Sequence, residues 1–190
     1  MSGHRDGGWA TRNSILDSAL ALARDGKSIS LDSAAKASGL TKAGLMYHFR
    51  TKAIFMRALV DRLIETFERE LLLHLAANGG REDSPSDRFI AYLDWASTAT
   101  VDAANLIMFS DPRLRRELTA HWANRVEPWV TIPDGLPRQQ RVALLSIRLL
   151  ADGMWFGAAS DAHRLEVSDR AAVRRLGREL LDRAKHDQSP

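Results

Sequence analysis

Four hydrogen-bond donors, Lys42, Tyr47, His48 and Lys52, crowd into one short stretch, GLTKAGLMYHFRTK. Two ammonium groups, a phenol and an imidazole are groups that phosphate oxygens accept from. Beside them stand Ala43 and Gly44, small enough to let a backbone come close to base edges and thymine methyls. Lys42 can reach a guanine edge or a phosphate. This set can do nucleic-acid chemistry if something holds it on one outward face.

Other chemistries find less support. The chain has no cysteine, so it has no disulfide framework, thiolate nucleophile or thiolate metal site. Glu117 and His121, and Glu70 and His74, stand one helical turn apart. A helical metal centre, however, needs repeated Glu-x-x-His pairs with further carboxylates. HExxH, a glycine-rich phosphate loop and Gly-x-Ser-x-Gly are all missing. Neither an enzyme nor a cofactor is expected.

The aromatic residues suggest a second site. Trp122, Val126 and Trp129 share one helical face, and Trp95, Met108, Phe109 and Trp155 add large apolar groups. Core packing is the ordinary fate of such residues. As a group they can also wall a cavity for a flat or cationic ligand. Asp94 and Asp152 are candidate partners for a cation, and Asp152 is equally placed to pair with Arg148 one turn earlier.

The elements that must position these groups are helices. Strand alternation is nearly absent and helical periodicity runs throughout. The pattern predicts helices over 11–25, 31–37, 42–49 and 51–77, with Ser30 and Thr41 as caps and Gly26 and Gly39 as stops. NGGREDSPS (78–86) reads as a linker. Helices follow over 87–101, an irregular piece to Phe109, one opened by Asp111 and Pro112 that fades near Pro128, one over 138–159, and one capped by Ser168. The architecture is all-α, about nine helices. A compact three-helix head (1–50) and a bridging helix (51–77) precede a helical body (78–190).

Ala35, Gly39 and Leu45 have the spacing of a helix-turn-helix. A small residue lets two helices approach, a glycine takes the positive-φ corner, and an apolar residue packs the second helix onto the first. Leu45 and Phe49 then face inward while Ala43 and Tyr47 face out. The second helix would enter a major groove by its N-terminal end, with Tyr47, His48 and Lys52 at the groove walls. Backbone N–H groups at Ser30 and Thr41 would point at phosphate.

Charge agrees with this placement. Residues 1–52 hold eight Lys/Arg against four Asp/Glu, whereas 53–190 hold 19 against 20. The basic surplus sits beside the donors. The N-terminus is unlike a signal peptide, and the most apolar stretch, 142–159, is interrupted by Arg148 and Asp152, so a cytoplasmic setting is expected.

Residues 11–60, TRNSILDSALALARDG and then SLDSAAKASGLTKAGLMYHFRTKAIFMRAL, resemble the N-terminal domain of TetR-family transcriptional regulators. The glycine turn, capping Thr, Tyr-His-Phe ending and following lysine carry the resemblance. Met46 departs from it, standing where an aromatic or Leu is common. Ala43 and Gly44 offer little hydrogen bonding, so base readout would lean on Lys42 and DNA shape.

The resemblance implies a homodimer on a palindromic operator and a repressor released by a small apolar or aromatic effector. The fourth helix would link ligand site to DNA-binding head. It also implies that 138–159 and the last helix form a four-helix dimer interface, with Leu145, Leu149, Phe156, Val173, Leu176 and Leu180 in it. The alternative is a helical ligand- or protein-binding module on the same scaffold that does not bind an operator.

Overall fold

The computed structural model describes residues 3–186. Among them are eight α-helices: α1 (Gly3–Arg24), α2 (Leu31–Ala37), α3 (Lys42–His48), α4 (Lys52–Ala77), α5 (Pro85–Thr98), α6 (Arg115–Val130), α7 (Arg138–Ala159) and α8 (Val167–His186). A 3-10 helix, Ala103–Phe109, stands between α5 and α6. No strand occurs among the described residues, and the all-α expectation is met.

Packing divides the chain into two units. One is Met1–Glu65 with Asp102–Trp122, the other Thr66–Val101 with Ala123–Pro190. The sequence placed its boundaries near 50 and 77. The packing units divide within α4 and α6, because the 3-10 helix and the start of α6 contribute to the first unit's core.

That core joins Ile15, Leu16, Ala19 and Leu20 of α1 to Ala34, Ala35, Leu45 and Phe49, to Phe55, Leu59 and Ile64 of α4, and to Ile107, Met108 and Leu118. Polar contacts fasten its edge. Arg24 meets Asp102, Arg62 meets Asp17, and His121 Nε2 meets Asp61 Oδ1.

Caps fix where the short helices begin. Ser30 Oγ accepts from the Ser33 N–H while Ser33 Oγ accepts from the Ser30 N–H, a reciprocal pair that satisfies two otherwise orphaned donors. Thr41 Oγ1 accepts from the Gly44 N–H at 3.1 Å. Gly39 sits between them at φ +67°, which a side chain would strain. Asp111 does not cap α6 directly. Its carboxylate accepts from the Arg113 N–H in a separate turn, and the α-helix starts at Arg115. Ser168 lies inside α8, not at its cap, and Pro128 is accommodated within α6.

In the second unit α7 packs against both α5 and α8, and α5 against α8. Helix α7 is long and apolar enough to cross a bilayer by length and composition, but here Ala143, Leu144, Ile147, Ala151 and Met154 are buried against protein. Asp94 is buried on α5. Its Oδ2 accepts from Asn78 Nδ2 at 2.8 Å and from the Arg178 guanidinium, joining the end of α4 to α8.

Candidate nucleic-acid interface

Helix α3 carries two opposed faces. Leu45 and Phe49 are fully buried. Phe49 stacks edge-on against Phe55, with the Arg12 guanidinium 4.7 Å from its ring centroid. One anchor therefore fixes the helix on the core and another closes its end. Thr41, Lys42, Ala43, Met46 and Tyr47 are exposed, Tyr47 to 85%. His48 is half-buried, its ring 5.3 Å from that of Tyr47 in an edge arrangement. Gly44 is half-buried, with the Thr41 hydroxyl 3.4 Å from where its Cβ would stand.

Sequence reasoning did not foresee that both lysines already have partners. Lys42 Nζ lies 3.0 Å from Asp32 Oδ2, and Lys52 Nζ 2.6 Å from Asp111 Oδ2. The Lys52 ammonium, hydrogen-bonded to the carboxylate, holds the Asp111 pKa below its ordinary value. Asp32 lies on α2, close enough in sequence for the helix-turn-helix geometry to have suggested it. Asp111 is too distant in the chain for any spacing rule to reach. Ser30 and Thr41 commit their hydroxyl oxygens to capping.

The residues expected to line an effector cavity are divided between the two packing units. Met108 is buried in the first unit's core, where the 3-10 turn points it inward beside Ile107, and Trp122 packs against that same core. Phe109 is exposed. Trp95, Val126, Trp129, Asp152 and Trp155 belong to the second unit. There Trp95 is buried, stacks with Tyr92 and meets Phe67 edge-on, and donates Nε1–H to Glu70 at 2.8 Å. Val126 is buried, while Trp129 and Trp155 are half-buried. A cavity of about 270 Å³ in this unit is lined by none of these residues.

Both aspartates have protein partners. Asp94 is engaged by Arg178 and Asn78, and Asp152 accepts from the Tyr92 hydroxyl and lies 3.7 Å from Arg148. Burial, reinforced by the Asp152 charge, pushes the Tyr92 phenol well above its ordinary value. The Glu/His pairs likewise find partners on other helices. His121 meets Asp61, Glu70 accepts from Trp95, and His74 is 3.3 Å from the Thr98 hydroxyl. Among the described residues no group of three or more carboxylates and histidines is arranged for a metal ion.

The residues assigned to a dimer face divide by exposure. Leu145, Leu149 and Phe156 of α7 and Leu176 of α8 are exposed, Leu149 to 63%. Val173 and Leu180 are half-buried. Together they leave apolar surface on two neighbouring helices.

No family model matches the chain, and no curated protein sequence matches it. Among solved structures it is similar to NalD of Pseudomonas aeruginosa, described as the secondary repressor of the MexAB-OprM multidrug efflux pump. The TM-score is 0.62 at 16% identity, over 91% of this chain and 96% of that one. NalD is a TetR-family repressor, so the fold implied by the sequence resemblance is the fold observed. At that identity the likeness is one of fold.

Proposed function

We propose that this TetR-like chain is a homodimeric, ligand-responsive transcriptional regulator, acting as a cytoplasmic repressor on a palindromic operator. One observation carries it: α3 buries Leu45 and Phe49 completely while Lys42, Ala43 and Tyr47 remain exposed at a capped N-terminal end. A helix so held can enter a major groove with its small residues against base edges and its donors against phosphates. In this scheme Tyr47, His48 and Lys52 bind the backbone and Lys42 reads or steadies a base edge. The exposed leucines of α7 and α8 pair with a second copy, setting two recognition helices about 34 Å apart. An effector bound in the second unit releases DNA only if it prefers a different spacing of the heads.

The test is a gel shift on DNA fragments selected by the protein from its own genome. Tyr47→Ala is expected to weaken binding about tenfold or more while sedimentation still reports a dimer. Wild-type affinity that does not fall steeply with salt would remove the DNA-binding assignment and favour a ligand- or protein-binding module.

A further inference from the structure

The cavity of about 270 Å³ lies where the C-terminal ends of α5 and α7 meet the loop before α8. One wall depends on a close approach. A Cβ on Gly157 would stand 2.6 Å from the His163 carbonyl oxygen. With no side chain there, the loop folds back, and the His163 N–H donates to the Gly157 carbonyl at 3.2 Å. Asp161 makes the corner at φ 57°. The returning chain brings Arg164 and Leu165 to the cavity, facing Val101, Met154, Ala158 and Arg170.

The two arginines differ in what they have left to offer. Arg164 is exposed and bound to Asp161 at 2.6 Å. Arg170 has a buried Nε with no hydrogen-bond partner, and none of the ion pairs among the described residues involves it. A guanidinium fork matches a carboxylate in two parallel hydrogen bonds. Val101, Met154, Ala158 and Leu165 add apolar surface to a wall that also carries Thr98 and Thr100. Ligand sites start at about 300 Å³, so the occupant is small.

We infer that this cavity binds a small amphipathic carboxylate, its head on Arg170 and its apolar body over Met154 and Ala158. The inference rests on the ligand-responsive function proposed above and names the class of its effector.

The experiment is calorimetric titration of the full-length protein with octanoate and benzoate, each against its neutral amide, and with inorganic phosphate. The acids are expected to bind roughly tenfold or more tightly than their amides. Arg170→Gln should abolish that preference, and Ala158→Phe, which fills the cavity, should abolish binding of acid and amide alike, with both variants checked by thermal melting. Should Arg170→Gln fail to fold, Ala158→Phe decides. Acid and amide binding equally, no binding of either to wild type, phosphate binding as tightly as the acids, or unchanged acid binding by folded Ala158→Phe each overturns the inference. Acid binding that leaves DNA affinity unchanged would support the site and overturn the ligand-responsive function, so the two failures are separable.

Discussion

Lys52 Nζ stands 2.6 Å from Asp111 Oδ2, tying the first turn of α4 to the turn that precedes α6. A cation proposed for phosphate is thus already occupied by a carboxylate of the same unit. Asp111→Asn should free it, raising DNA affinity about three- to tenfold and steepening the salt dependence by about one phosphate contact. Competition gel shifts across a salt series measure both, and unchanged values would mean that Lys52 does not meet DNA. The lowered pKa of Asp111 also sets a pH dependence. Its stabilisation is present above the ordinary carboxylate range and is lost as pH falls through its lowered value. The melting-temperature gap between wild type and Asp111→Asn should therefore close below about pH 4.

The two faces of α3 should separate stability from binding. Phe49→Ala removes a fully buried ring that packs on Phe55. It should cost about 3–5 kcal/mol in urea unfolding, a large share of a typical domain's stability. Tyr47→Ala, at 85% exposure, should change that stability by less than about 0.5 kcal/mol. Comparable losses from both would place Tyr47 in the core and not on DNA.

Assembly can be tested at Leu149, the most exposed apolar side chain on α7. Leu149→Glu would bury an unpaired charge in any interface built on that face, a penalty of several kcal/mol. Sedimentation velocity should show the variant as a folded monomer with operator binding lost. A dimer that survives the substitution would move the interface elsewhere.

Tyr92 offers an alkaline probe. Burial comes first and the neighbouring Asp152 charge second in raising its phenol, so the folded state resists ionisation. The stabilisation from this raised value is complete below the unfolded phenol's value near 10 and diminishes as pH rises beyond it. In Tyr47→Phe, Tyr92 is the remaining one of the chain's two tyrosines. Phenolate absorbance should then grow in step with loss of helical circular dichroism. Ionisation well before unfolding would mean that water reaches the Tyr92–Asp152 bond.

The head was legible in the sequence because its determinants are local. Caps at Ser30 and Thr41, the positive-φ Gly39 and the Leu45/Phe49 spacing lie within a few turns of one another, and each specifies its own geometry. The body was less legible. Helical periodicity shows that Trp95, Met108 and Trp122 face something apolar, but not which core they enter. Met108 and Trp122 joined the head's core through packing that depends on chain returns far apart in sequence. The cavity beside Arg170 had no aromatic signature, and it follows from the missing side chain at Gly157.

Lys42 bound to Asp32 gives the proposed DNA-binding surface a built-in counter-ion. Such a surface should hold heparin or stray RNA weakly, since any polyanion must first evict a tethered carboxylate. Only a target whose groove repays that exchange at several points together would then keep the protein, so the acidic neighbour sharpens selectivity by taxing every casual encounter.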